Sequence, residues 1–112
     1  MTVPRLKAGI FVRALIRRAE VSGASAYVVH KGAEEGGAVV LKLAPLDGSC
    51  TVLSQARRGA EGELVWLKPL GERVDEAAAS DWFEKQLKFD PDLWIVEIED
   101  REGRSFVDEP VV

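Results

Sequence analysis

Phe89-Asp90-Pro91-Asp92-Leu93-Trp94-Ile95-Val96-Glu97-Ile98-Glu99-Asp100 is the stretch that decides the fold of this chain. Pro91 cannot continue a helix, and it pushes the residue before it, Asp90, out of the helical region of backbone conformation. After the turn, Trp94, Val96 and Ile98 alternate with Ile95, Glu97 and Glu99. This two-residue alternation of apolar and partly polar side chains is typical of a half-buried strand. The stretch therefore predicts a helix that ends at Phe89 and a strand over about 94–99.

The helix before this stretch is predicted over about 75–89, capped by Asp75 or Ser80. Its expected apolar stripe contains Ala78, Trp82 and Phe89, flanked by Ala79, Phe83 and Leu87. A first helix is predicted over about 6–21, because apolar side chains recur there at steps of three and four. That stripe consists of Ile10, Phe11, Ala14, Leu15 and Ala19, with Val12 and Ile16 off it.

Four short segments between the helices predict strands, at about 26–30, 38–43, 51–54 and 64–67. Gly32–Gly37 reads as a flexible hairpin loop, and Asp47-Gly48 is a strong hairpin signal. The elements together predict an α+β fold with an antiparallel sheet of four to five strands, made of a three-strand meander plus a closing strand. Both helices are expected on one face of that sheet. We expect a short edge strand at Ser105–Val107 and a loose tail at 108–112.

Length and composition indicate a single domain over 1–112 with net charge −4. One cysteine, Cys50, excludes an intrachain disulfide and favours a reducing, cytoplasmic compartment. No apolar run is long enough for a membrane span. The charge is uneven: residues 1–19 hold five basic and no acidic side chains, whereas residues 90–112 hold eight acidic and two basic ones. The two ends either lie near each other in the fold or face different partners.

Several of these segments together resemble a known family. Arg5-Leu6-Lys7-Ala8, Arg17-Arg18, the Leu46-Asp47-Gly48 turn and the whole of Phe89–Arg104 carry the resemblance. The family is an uncharacterised one of small alphaproteobacterial proteins, domain of unknown function 1491. The resemblance implies a bacterial cytoplasmic protein and a stand-alone domain, and it implies no activity, substrate or cofactor.

The carboxylates of the opening stretch are the candidate metal ligands. Glu97 and Glu99 share a strand face about 7 Å apart, and Asp92 precedes them. Such a set could hold Mg²⁺ or divide acid and base roles in a metal-dependent hydrolase. The alternative is a solvated strand face whose charges protect an edge from aggregation.

The remaining candidates are binding residues. Trp66 and Trp94 are candidates for a protein interface, because tryptophan is enriched at binding hot spots. Arg13, Arg17 and Arg18 form a basic helix face that could touch nucleic acid, although the acidic chain argues against that partner.

Two potential catalytic residues stand alone. His30 is the only histidine, which excludes a two-histidine metal site within one chain. The sequence shows neither a base nor a helix start beside Cys50 to lower its pKa. We therefore expect no cofactor and a small protein that acts through contacts with itself or with another protein. A metal-dependent hydrolase and weak nucleic-acid binding through the first helix are the alternatives.

Overall fold

The computed structural model describes residues 7–112. The predicted helix start at Leu6 and the Arg5 of the resemblance lie outside these residues. In chain order the elements are α1 (Ala8–Val21), β1 (Ser25–His30), β2 (Val39–Ala44), β3 (Ser49–Arg58), β4 (Glu63–Leu67), β5 (Val74–Asp75), α2 (Glu76–Phe89) and β6 (Trp94–Glu99). The α+β class is confirmed, with two helices and six strands in the described part of the chain.

The last strand, β6, lies in the interior of the sheet. The strand order is β1-β6-β2-β3-β4, and β5 pairs with the start of β3. β6 runs antiparallel to β1 but parallel to β2, from Val39 opposite Trp94 to Ala44 opposite Glu99. The predicted meander of three successive strands is therefore wrong, because β6 separates β1 from β2. The uninterrupted apolar runs Trp94–Val96 and Val39–Leu41 are typical of strands that are buried on both faces.

The two helices pack on opposite faces of the sheet, not on one face as the sequence suggested. Side chains of α1 pack on Leu41, Val96 and their neighbours, and side chains of α2 pack on the alternate residues, including Val40 and Ile95. A sheet whose central strands are apolar on both faces needs a cover on each side, which is the reason for this arrangement.

The phase of the α1 stripe differs from the predicted one. Val12 is fully buried with Ala8, Leu15 and Ala19, whereas Ile10 is 44% exposed. The sequence offers two overlapping apolar stripes on this helix, and packing against the sheet selects the one with the smaller residues. In α2, Ala79 and Phe83 are buried, while Phe89 is 87% exposed and does not belong to the core. Asp75 caps α2 by accepting a 2.8 Å hydrogen bond from the amide of Ala78.

The loop between β1 and β2 crosses the start of β6, and two glycines allow the close approach. A Cβ atom on Gly32 would lie 2.2 Å from the carbonyl oxygen of Asp92, and one on Gly37 would lie 2.6 Å from the same oxygen. The amide of Ala33 donates to that oxygen at 2.9 Å, and the indole of Trp94 donates to the carbonyl of Ala33 at 2.7 Å. The loop is therefore a packed crossover, not the flexible hairpin that the sequence predicted.

The C-terminal residues cover the outer edge of β4. Trp66 donates its amide to Pro110 at 2.9 Å and accepts from the amide of Val112 at 2.9 Å, so that Val111 forms a parallel bridge with Trp66. The predicted edge strand at Ser105–Val107 is absent from the described residues, and the tail is attached instead of loose. Phe106 has a positive φ of 61°, which is incompatible with an extended strand there. No helix within residues 7–112 is long and apolar enough to cross a membrane.

Candidate functional site

The most distinctive surface of the molecule is the outer edge of β1, which we call the β1 edge. Its residues, Ser25–His30, include no lysine, arginine, carboxylate or proline, the residue types that usually protect an edge strand. Tyr27, Val28 and Val29 are 45%, 40% and 52% exposed. Among residues 7–112, only β6 pairs with β1, so the other side of the strand is open. An exposed, uncharged edge rich in β-forming residues is a template for another strand.

The register of β6 shows which main-chain groups of β1 point outward. The amides of Trp94 and Asp100 donate to the carbonyl groups of Ala38 and Ala44, on the β2 side. The main-chain N–H and C=O groups of the even-numbered residues of β6 therefore point to β2, and those of the odd-numbered residues point to β1. Glu97 is opposite Tyr27 in the antiparallel pair. Main-chain groups alternate in direction along a strand, so Ser25 and Tyr27 bond to β6. The N–H and C=O groups of Ala26 and Val28 therefore point to the open side.

A bulge limits the length of the usable edge. The register between β1 and β6 shifts between Val28 and His30, which leaves Val29 as the extra residue. A bulge bends the strand and interrupts its regular pairing. In addition, Nδ1 of His30 lies 2.7 Å from the carbonyl oxygen of Leu93, to which it donates. Regular pairing at the β1 edge is therefore confined to the segment around Ala26–Val28.

A row of polar side chains crosses the sheet beside this edge, on the face that α2 partly covers. The row contains Tyr27 of β1, Glu97 of β6 and Lys42 of β2, and the start of α2 adds Glu76. The Lys42 ammonium group is 3.2 Å from the Glu97 carboxylate, and both side chains are only 12% exposed. Lys42 also forms a salt bridge with Glu76. A charged group so far from water requires a partner, and here each has one.

The neighbours of Tyr27 and Lys42 in this row shift the pKa values of both side chains. The hydrogen bond from the Tyr27 hydroxyl to Glu97, with smaller contributions from desolvation and from the charge of Glu97, raises the pKa of Tyr27 to about 12. Burial is the largest single effect on Lys42 and lowers its pKa, but hydrogen bonding to Glu76 and the charge of Glu97 together outweigh it, so the pKa of Lys42 is raised above its usual value. Both groups are therefore in their protonated forms at neutral pH and act as donors, not as general bases.

A cleft of about 580 Å³ opens at the end of β1 where the strand begins. Its wall includes Gly23, Ser25 and Glu99, together with Asp100 and its partner Arg104. Asp100 accepts three hydrogen bonds from Arg104, at 2.9, 3.0 and 2.9 Å, which together with the arginine charge lower the pKa of Asp100. Glu99 has no salt bridge within residues 7–112. The cleft therefore presents the Glu99 carboxylate next to the β1 edge, with Arg101 and Arg104 in the same lining.

The candidate metal ligands are divided between two ends of β6. Glu97 and Glu99 lie on the same face, as predicted from the strand period. Asp92, however, lies in the turn before β6, whereas Glu97 lies within the strand. The carboxylate of Asp90 accepts from the amide of Asp92 at 3.2 Å, in a local turn. No group of three or more histidine, cysteine, aspartate or glutamate side chains within residues 7–112 is arranged to hold a metal ion.

The two candidate tryptophans are structural. Trp66 is fully buried, stacks on Phe11 with ring centroids 6.0 Å apart, and donates its indole N–H to Glu109 at 3.0 Å. Trp94 is 3% exposed and bonds to the crossover loop. Both candidate side chains are therefore buried in the described part of the chain, and neither contributes to its exposed surface.

The basic helix face is partly neutralised within the chain. Arg13 pairs with Glu34 at 2.7 Å, and Arg18 pairs with Asp108 at 3.2 Å. Arg17 is exposed on the same helix, with no salt bridge among the described residues. The Arg18–Asp108 pair joins the basic start of the chain to its acidic end, but Arg13 pairs with the crossover loop instead.

Cys50, the second residue of β3, is a fully buried thiol. Burial is the largest of the effects that raise its pKa, followed by the charge of Glu76. A buried thiol with a raised pKa is a poor nucleophile.

The β1 edge itself was not among the sequence candidates. Its signal was available in Ser25-Ala26-Tyr27-Val28-Val29, an uncharged run of residues that favour strands. The sequence could not show that this strand lies at the edge, because the position of β6 decides it.

Comparisons with known proteins identify relatives along nearly the whole chain. The family model described as "Protein of unknown function (DUF1491)" matches residues 6–108. A crystal structure of a DUF1491 family protein from Caulobacter crescentus CB15 is 43% identical, has a TM-score of 0.90, and covers 96% of this chain and 100% of that chain. A solution structure of a protein from A. tumefaciens is 33% identical with a TM-score of 0.80, covering 95% of each chain. No curated protein matches this chain.

Proposed function

This chain belongs to the DUF1491 family of proteins of unknown function, and we propose that it is a protein-interaction module that binds an extended partner segment along the β1 edge. The observation that supports the proposal is the open edge itself, with outward main-chain groups at Ala26 and Val28 and exposed side chains at Tyr27 and Val29. Main-chain pairing at a sheet edge supplies affinity, and the flanking side chains supply selectivity.

The contrast between the two edges of the sheet favours this proposal. The β4 edge is closed by the chain's own C-terminal residues, which use the main-chain groups of Trp66. The β1 edge has no such cover within residues 7–112 and lacks protective charges. The titratable groups beside the edge, Lys42 and Tyr27, are both engaged with Glu97, which suits a role in supporting the edge. The free thiol of Cys50 suits a reducing compartment, so we place this role in the cytoplasm.

The test uses a variant that changes only the outward side of β1. In Val28→Pro the lost N–H points away from β6, so the β1–β6 hydrogen bonds remain, and proline is tolerated at such edge positions. Phe89→Ser is the matched control, since it removes the most exposed large apolar side chain on a different surface.

A lysate of the source bacterium is passed over the wild-type chain, Phe89→Ser and Val28→Pro. Proteins that the first two retain and Val28→Pro does not are purified, and their binding to the wild-type chain is measured. Hydrogen exchange must then show protection of the Ala26 and Val28 amides in the complex. The proposal fails if a purified partner binds Val28→Pro as tightly as the wild-type chain. It also fails if neither a captured protein nor a second copy of the chain protects these two amides.

A further inference from the structure

We propose that the occupant of the β1 edge is a second copy of this chain, paired antiparallel about a two-fold axis that passes beside Tyr27. This inference rests on the proposed interaction role of the β1 edge and specifies its partner. Isologous pairing requires that a surface be complementary to itself, and an antiparallel strand edge meets that condition whenever its register can be symmetric.

The outward main-chain groups select one register. With Tyr27 opposite Tyr27 of the second copy, Ala26 of each chain is opposite Val28 of the other. Both pairs then consist of residues whose N–H and C=O groups point outward, and each pair exchanges two hydrogen bonds. A register centred on Val28 or on Ala26 retains only one such pair. In the first, Ala26 is opposite His30, which pairs with β6, and in the second, Val28 is opposite Ala24, whose amide bonds to Ala19.

The side chains agree with this register. The two Tyr27 rings, each 45% exposed, face each other across the axis in a non-hydrogen-bonded pair, where side chains approach most closely. Val28, 40% exposed, lies beside the smaller Ala26 of the other chain on the opposite face. No charged side chain of β1 faces its own copy, so the pairing places no like charges together.

The bulge after Val28 keeps the paired segment short, so the interface is small. We expect a dimer at the weak end of specific interfaces, with a dissociation constant of about 10–100 µM. Sedimentation of the full chain from about 1 µM to 1 mM should then show a reversible shift from monomer to dimer. Val28→Pro is expected to weaken the dimer at least tenfold, while Phe89→Ser leaves it unchanged.

Cross-linking tests the register directly. Tyr27→Cys places two thiols across the axis in a non-hydrogen-bonded pair, where the Cα atoms are about 4.5 Å apart, a separation that a disulfide can span. Val29→Cys places its thiols about 13 Å apart, four residues along the strands, and serves as the control for an exposed cysteine on the same strand. We expect Tyr27→Cys to form a disulfide-linked dimer at least ten times faster than Val29→Cys. Equal rates, or no cross-link with Tyr27→Cys, would overturn the inference.

A chain that remains monomeric to 1 mM while a purified partner protects Ala26 and Val28 overturns this inference but leaves the proposed function in place.

Discussion

The salt bridge between Lys42 and Glu97 provides the sharpest test of how the sheet interior is stabilised. Both side chains are 12% exposed, and their charged atoms are 3.2 Å apart. Lys42→Met keeps the length of the side chain but leaves Glu97 without its cation in a mostly buried position. Removing one member of a buried ion pair typically destabilises a protein by about 3–5 kcal/mol.

The expected loss for Lys42→Met is about 3 kcal/mol, the low end of that range, because Glu97 retains its hydrogen bond from Tyr27. The second partner, Glu76, is half exposed and adds little. For a chain of 112 residues, the entropy of unfolding is about 0.24 kcal/mol per kelvin, so this loss lowers Tm by about 12 °C.

Urea unfolding at pH 7 measures the free energies in a double-mutant cycle with Glu97→Leu. The double variant should recover much of the loss, because an apolar pair leaves no buried charge without a partner. Lys68→Met is the matched control, since its partner Glu72 is 85% exposed and the pair should contribute less than about 0.5 kcal/mol. A loss below 1 kcal/mol for Lys42→Met, or strictly additive single effects, would refute the reasoning.

Three further outcomes are expected. Gly32→Ala forces a Cβ against the Asp92 carbonyl and should lower the free energy of unfolding by about 2–3 kcal/mol, whereas Gly36→Ala, with open space around it, should change it by less than 0.5. Ultraviolet titration should give Tyr27 a pKa of about 12. The stabilising contribution of Tyr27 is then present below pH 10 and is lost as the pH rises from 10 to 12. Glu97→Gln should lower the pKa of Tyr27, and an unchanged value would contradict the assigned hydrogen bond. The pKa of Asp100 is lowered in the folded state, so its contribution to stability is present above the ordinary carboxyl pKa of 3.8 and is lost as the pH falls below that value. Asp100→Asn should therefore weaken the fall of Tm at acid pH. The same fall of Tm in the variant and the wild-type chain would contradict this expectation.

The local elements could be predicted from the sequence because their signals are local. Pro91 ends α2, Asp75 caps it, and the alternation after Trp94 marks β6. The position of β6 could not be predicted from these signals, because strand order depends on contacts between residues that are far apart in the chain. Ile95 shares a strand face with Glu97, and an apolar side chain on this otherwise polar face was the one sequence feature that indicated an interior strand.

The same limit applies to the candidate site. Sequence reasoning placed Glu97 and Glu99 correctly on one strand face but assigned an interface role to Trp66 and Trp94, which the core absorbs. Residue type alone does not distinguish a tryptophan that anchors a core from one that anchors a partner. The exposure of Tyr27 depends on which strand has no neighbour, and only the assembled sheet determines that.

The interior position of β6 affects how the sheet can fold during translation. β1 and β2 leave the ribosome before the strand that joins them, Trp94–Glu99, which comes later in the chain. Until it arrives, β1 has no neighbour in its sheet and β2 lacks its parallel partner. The sheet therefore cannot be completed before Trp94–Glu99 has left the ribosome. Until then β1 is held only by α1, and nascent chains on the same messenger would expose this strand to one another.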